Sequence, residues 1–388
     1  MAASASAQNA MTSSPYSMFG LGEMASGLYG QNTSMAGVTV GMREGMLMNI
    51  ENPAGLTALD SCKLFAEASA FVKNERYRSD GSSSNAFTGN FSAFSLGGRI
   101  MRRWYMSAGV TPYSFVGYYF KSSQELEGSP GTFVTSTFSG TGGLSKAFLS
   151  QGFSLTKHLS VGMNLNFIFG NMTQNEIQSA MTVSREMSGR SFYADFGLQY
   201  HRPIARETFL TVGAIYGYKQ RISLKNTVTV TGSSTETPYN QKRVTQYLPQ
   251  YIGIGSSLAH KKWTYALDYL FRQYGVLNSS DSRVKFRDSH ELRLGVCYFP
   301  NGFSSSSYWK RMSYKAGVSV STPYLRLKGQ SGGTYRVSVG LGLPVLNGRI
   351  NTAFYYDRLQ LQGNALRRDI MGFTVTYTLS EKFCLMLI

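Results

Sequence analysis

No stretch of this 388-residue chain approaches the roughly 18 to 20 consecutive apolar residues of a membrane-spanning helix, although 42% of its residues are hydrophobic. Spanning helices are excluded. Cysteine is scarce: Cys62, Cys297 and Cys384 lie far apart, odd in number and without a CxxC spacing, so there is no disulfide or thiolate–metal framework. Acidic residues are few, 21 against 38 Lys and Arg, which leaves a net charge of +17. The cations are dispersed, often at turns (Arg102-Arg103, Lys157, Lys261-Lys262, Arg367-Arg368). Nucleic-acid binding wants a clustered stripe within a known module, so that class is set aside. Dispersed cations suit anionic lipopolysaccharide, periplasmic partners or a lumen. Catalytic groups are missing too. Asp288 and His290 share one face of a strand start with Ser289 opposite, and His158, His201 and His260 sit near turns without partner spacing. No catalytic site, metal or cofactor is expected.

What is present is alternation. In Val161 to Gly170 every second residue is large and apolar, and most residues between are Gly or Asn. Side chains alternate across a strand, so such a segment has one greasy face and one small or polar face. Phe192 to His201, Trp263 to Arg272 and Met371 to Leu379 read the same way. A soluble sandwich buries its apolar face and charges the other. Here the polar face is too small and too uncharged for a wet exterior, and the apolar face is aromatic enough to meet lipid. A transmembrane antiparallel β-barrel with a polar lumen accounts for both faces. It also accounts for 25 Tyr, 24 Phe and 41 Gly, since aromatics suit interfacial girdles and glycine suits tight turns and a crowded interior.

Alternating segments fall at 62–78, 85–101, 103–121, 131–149, 153–171, 180–202, 206–232, 241–260, 262–277, 287–300, 308–328, 332–345, 348–362 and 367–380. That makes about fourteen strands, an even number as single-chain bacterial barrels have. Short turns near Arg102, Lys157, Pro203, Lys261 and Asn347-Gly348 alternate with longer polar loops, as periplasmic turns and extracellular loops do; the connection from Pro300 to Tyr308 is longer than this scheme wants. Residues 8–60 lack the alternation. Rich in Gly, Ser, Met and Asn, with short helical stretches around Thr33 to Gly37 and after Pro53, they read as a plug inside the barrel's periplasmic half. The barrel proper is 61–388. Residues 1–7 read as the remnant of a secretory signal, because Ala3-Ser4-Ala5-Ser6-Ala7 has the small-residue pattern that precedes a cleavage point.

Gly30-Gln31-Asn32-Thr33-Ser34-Met35-Ala36-Gly37, followed by Asn52-Pro53-Ala54-Gly55-Leu56, resembles the hatch motif of the FadL/TodX family of outer-membrane transporters for hydrophobic compounds. Later stretches, including Gly140 to Gly170 and Gly340-Leu341-Gly342-Leu343-Pro344, are similar to the same family. The opening Ser14-Pro15-Tyr16-Ser17-Met18-Phe19-Gly20-Leu21-Gly22 resembles a Bacteroidota branch of it, which includes non-transporting, PorV-like subunits. The resemblance implies a fourteen-stranded barrel in the outer membrane of a Gram-negative bacterium, with an N-terminal hatch, a hydrophobic pocket and a lateral opening. It assigns hatch or gating roles to Asn52, Pro53, Ala54, Gly55, Ser34 and Gly37. Two departures bear on the substrate: the chain is short for a long-chain fatty-acid transporter, and it runs past its last strand into Glu381 to Ile388 rather than ending on an aromatic.

Strand parity sends Asn164, Asn166, Asp268, Arg272 and Arg293 into the lumen and Phe167, Phe169, Tyr265, Leu267, Val296, Phe373 and Val375 to lipid. The plug methionines (Met18, Met24, Met35, Met42, Met46, Met48) suit adaptable packing better than a ligand lining. Two functions follow. One is passive uptake of a hydrophobic or amphipathic small molecule. The other is a non-transporting structural or adaptor barrel in a larger outer-membrane complex for secretion or barrel assembly. Expected partners are outer-membrane lipid and lipopolysaccharide, a hydrophobic ligand, or other outer-membrane proteins, and no nucleic acid.

Overall fold

The computed structural model of the protein describes residues 12–382 apart from 26–29, 80–81, 126–130, 180, 233–235, 278–283, 301–306, 328–331 and 362–366. The signal remnant at 1–7, Cys384 and the tail from 383 lie outside the described residues. A two-residue strand, β1 (Glu23–Met24), precedes the long strands β2 (Lys63–Ser79), β3 (Ser82–Met101), β4 (Trp104–Glu125), β5 (Phe133–Ser154), β6 (Leu159–Gln178) and β7 (Met181–Ala205). Next come β8 (Thr208–Gly217), β9 (Gln220–Thr231), β10 (Glu236–Leu248), β11 (Tyr251–His260) and β12 (Trp263–Arg272). The remainder are β13 (Val284–Phe286), β14 (Ser289–Tyr298), β15 (Ser313–Ser321), β16 (Leu325–Leu327), β17 (Gly332–Val345), β18 (Gly348–Leu361) and β19 (Arg367–Lys382).

Every long strand pairs antiparallel with its neighbour, and β19 pairs with β2 from Lys382↔Lys63 to Arg367↔Arg78, which closes the ring. β7 pairs with β8 in its second half and with β9 in its first, while β11 and β10 pair with the same two strands on the other side. β8–β9 and β10–β11 are therefore two interrupted barrel strands. The ring holds fourteen, as the alternation implied. Pro249 has no N–H to give the ladder, and it sits at the break between β10 and β11.

Several expected boundaries are corrected. The segment 308–328 is not one strand: a single helical turn, Tyr308–Arg311, precedes β15, and β16 leaves the wall to form a two-stranded ribbon with β13. The segment 262–277 ends as a strand at Arg272, with a 3₁₀ turn at Tyr274–Val276. β5 runs on to Ser154, so the turn before β6 occupies 155–158. Residues 8–60 do contain a strand, β1, which pairs with β4.

Outward positions carry a band of exposed large apolar residues, among them Phe192, Ile254, Trp263, Tyr265, Leu294, Val318, Val337 and Phe373. Packed interior clusters join the wall to the N-terminal segment. Met46, Met48, Leu56 and Leu59 pack with Phe65 and Tyr105, and Met35, Val38, Met42 and Leu47 pack with Ala266. Four of the plug methionines are thus packing groups. Leu21 joins a third cluster with Val116, Leu144, Ile168 and Met172.

Candidate functional site

The 3₁₀ turn Thr33–Met35 touches β14, β15, β17 and β18, whereas the turn Pro53–Ala58 touches β4, β5, β6 and β7. A segment in contact with inward residues on opposite sides of a closed ring lies across its interior. Small wall residues make the approach possible. Gly162, Gly197, Gly213 and Gly317 have no room for a methyl, since their missing side chains would overlap Pro53, Asn52, Val40 and Met35 respectively. Pro53 fixes the entry to its turn, and Asn52 caps it by accepting from Ala54 N at 3.2 Å. Asn52 Nδ2 also donates to the carbonyls of Val40 (2.7 Å) and Leu198 (3.2 Å), the second of which belongs to the wall. Ala54 is fully buried, and Gly55 N donates to Asn52 O. Ser34 lies against Gly340 of β17, and Gly37 takes a positive φ of 80° in the turn after Met35.

The five polar residues assigned inward are all largely buried, and four of them meet the N-terminal segment. Asn164 Nδ2 donates to Ile50 O at 2.9 Å, and both Asn164 and Asn166 donate to Asp195. Asp268 accepts from the main-chain N–H groups of Thr39 (2.6 Å) and Val40 (2.8 Å). Arg293 donates to Gly37 O at 2.7 Å and pairs with Glu51 and Glu291. Arg272 pairs with the same two carboxylates. At the short-turn end, Arg349 pairs with Glu44. Burial alone would raise the Glu44 carboxyl, but Arg349 and Lys315 outweigh it and hold it down to about 2. Glu51 is also lowered: burial opposes this, and Arg293 and Arg272 prevail.

Residues 12–24 depart from the expected position in the lower half of the barrel. They lie toward the long-loop end, where Thr12 and Ser13 N donate to Glu75 and Gln174 donates to Met18 O. There the wall itself changes. β3 and β4 are paired only from Phe94↔Val110 to Met101↔Trp104. Beyond Val110, Pro112 cannot donate and Tyr113 bulges out of register. β4 then parts from β3 and turns inward, so Phe115 meets Phe71 of β2 with ring centroids 6.3 Å apart. The N-terminal segment takes over the vacated edge. β1 pairs with Ser114 and Phe115, Ala25 N donates to Tyr113 O, and the Ser17 hydroxyl bonds both N–H and C=O of Gly117. Gly22 is needed here, because its φ is +90° and a methyl would lie 2.6 Å from Phe115 O. The wall therefore has a lateral seam between β3 and β4, backed by the chain's own N-terminal segment.

Behind the seam is a cavity of about 180 Å³ whose walls include Glu23, Lys73, Arg272, Glu291, Arg336, Asp357 and Arg368. These form pairs: Arg368 with Glu23 and Glu75, Lys73 with Glu75 at 3.0 Å, and Arg336 with Asp357 through two bonds of 2.6 and 2.7 Å. Sequence reasoning found none of these pairs, although each charge on a wall strand stands at an inward parity, the one signal available. It also denied the histidines partners. His158 and His201 are brought together at a short turn, with ring centroids 5.9 Å apart and His158 Nδ1 at 3.0 Å from His201 O. Asp288 instead accepts from Gly275 N, and His290 faces the Tyr269 hydroxyl.

The family described as BamG matches residues 1–383. The chain belongs to the BamG family. No curated protein matches it by sequence. Solved structures similar to this BamG-family chain include the Ralstonia pickettii toluene transporter TbuX, 14% identical, with a TM-score of 0.61 over 92% of this chain and 98% of its own. A Pseudomonas aeruginosa FadL homologue is 11% identical, with a TM-score of 0.62 over 93% and 100%. The Pseudomonas putida toluene transporter TodX is 16% identical, with a TM-score of 0.59 over 92% and 98%. At such identities the shared property is the fold, a closed fourteen-stranded barrel of the FadL/TodX kind.

Proposed function

We propose that this BamG-family chain is a plugged outer-membrane barrel acting as a non-transporting structural or adaptor subunit of a larger outer-membrane complex, of the secretion or barrel-assembly kind. One observation carries the reading: seven of the residues that line the cavity behind the seam are charged and held in ion pairs, interspersed with aromatic and aliphatic residues such as Tyr274, Tyr324 and Leu359. A site for an apolar solute is mostly apolar, with few polar groups. Seating a hydrocarbon here would strip water from these ion pairs. The N-terminal segment also packs into an apolar cluster of the interior, where Leu21 is fully buried. In this reading the hatch residues, Asn52 to Gly55 with Ser34 and Gly37, brace the barrel rather than gate it. The exposed apolar band faces outer-membrane lipid, the dispersed cations face lipopolysaccharide, and the kinship is with the PorV-like, Bacteroidota relatives. Extraction of the full chain from native membranes in mild detergent tests it. A stoichiometric partner with background conductance in planar bilayers supports the adaptor; absence of any partner, with saturable uptake of a hydrophobic probe, overturns it.

A second reading has its own support. The lateral seam gives a route from the interior into the bilayer, and the similar structures include proteins named as toluene transporters. Passive uptake of a hydrophobic or amphipathic compound would then require Glu23–Met24 and Ser17 to leave the edge of β4.

A further inference from the structure

We propose that the open edge of β3, residues 82–93, receives an extended segment of a partner polypeptide, which pairs with it as an added strand. This rests on the adaptor reading and names where the partner binds. β3 pairs with β2 from Ser82 to Gly98, with a bulge at Ser92, but its ladder to β4 stops at Phe94. About twelve residues are left as an edge inside an otherwise closed ring, and alternate N–H and C=O groups of an edge point away from its one neighbour. Phe91 N donates to the side chain of the preceding residue, Asn90 Oδ1, at 2.7 Å.

The chemistry of the edge selects its occupant. Main-chain polar groups at membrane depth must find hydrogen-bond partners, and acyl chains or aromatic hydrocarbons have none to give. An extended polypeptide has them at the right repeat, which is the basis of strand addition to sheet edges. The protein already uses this mode at the same seam. Glu23–Met24 adds antiparallel to Ser114–Phe115 on the facing edge of β4 but does not reach β3. The side chains beside the β3 edge suit an alternating partner strand. Phe87 and Phe91 are 73% and 75% exposed, more than most outward aromatics of the paired wall, while Thr88 after the first and Ser92 after the second are buried. A segment of about eight to twelve residues, apolar at every second position, would cover both phenylalanines.

The test uses full-length protein in native membranes and the protein that co-purifies with it in stoichiometric amount. Phe91→Pro removes an N–H that bonds the Asn90 side chain, and proline is tolerated at strand edges. Phe91→Ala removes only the ring. Phe91→Pro should lower recovery of the partner at least tenfold with heat-modifiable migration of the barrel unchanged, and Phe91→Ala should lower it less. Should Phe91→Pro fail to fold, a photo-crosslinking residue at position 87 gives a second readout against position 192, a 72% exposed phenylalanine on β7. Adducts of that same partner at 87, tenfold or more above those at 192, support the added strand. Equal adducts at both positions, adducts at 87 with lipid only, or full recovery by a folded Phe91→Pro overturn it while leaving the adaptor reading standing. No stoichiometric partner of the wild-type protein overturns both.

Discussion

Arg293 on β14 and Glu51 in the N-terminal segment lie 3.1 Å apart, although 242 residues separate them in the chain. Arg293 is 1% exposed and binds the Gly37 carbonyl as well, so one wall side chain grips the segment at two points. Arg293→Met should leave Glu291 and Glu51 buried without their main partner. Breaking a buried ion pair from one side costs about 3 to 5 kcal/mol. The expected result is a clearly lower thermal midpoint in detergent, with a smaller drop for Glu51→Gln. A midpoint equal to wild type would remove this latch from the account.

Asn52 tests the hatch corner. Asn52→Ala loses the cap on Ala54 and leaves the Val40 carbonyl one donor short, for a combined cost of about 1 to 3 kcal/mol. The strands lie elsewhere, so the barrel should still show heat-modifiable migration, while protease cleavage within 30–60 rises. Gly162→Val should act in the same direction by pushing Pro53 off the wall. Unchanged protection in both variants would mean that the segment is held by other contacts.

Acid should loosen the short-turn end. Glu44 sits at about 2 when folded, below the ordinary carboxylate range. The folded state therefore binds fewer protons than the unfolded one. The stabilisation is complete above the ordinary range and is lost as pH falls through the folded value, roughly from pH 5 to pH 2. Glu44→Gln should flatten the decline in thermal midpoint over that window. Parallel curves for variant and wild type would count against the Arg349–Glu44 contact.

Faces can be read by labelling. Phe169 is 38% exposed on the outer face of β6, while Asn166 is 1% exposed against Asp195. Single cysteines at 167 and 166 should differ sharply toward a membrane-confined thiol probe, with 167 modified and 166 spared. The reverse pattern would show a one-residue slip, which exchanges the two faces of a strand.

Much of this was legible because alternation is local. Phe167 and Asn166 announce their opposite faces from neighbouring residues alone, and the turn at Asn347-Gly348 needs no distant information. The corrections fall where local signals run out. The Leu325–Leu327 stretch alternates like its neighbours, yet it pairs with Val284–Phe286 outside the ring. Residues 12–24 carry no periodicity that would place them beside Glu75 and Gly117. His158 and His201 lie 43 residues apart and meet only because β6 and β7 pair in that register.

The sequence by itself determined a fourteen-stranded membrane barrel with a non-alternating start, since period-two patterning and turn chemistry are properties of adjacent residues. Tertiary structure alone decided which inward charges pair, where Asp268 and Arg293 hold the N-terminal segment, and that the ladder between β3 and β4 fails above Val110. Those outcomes depend on the register at which Lys63 meets Lys382 to close the ring, on the depth at which the segment crosses the lumen, and on Pro112 withholding one hydrogen bond at a position whose importance only the closed wall reveals.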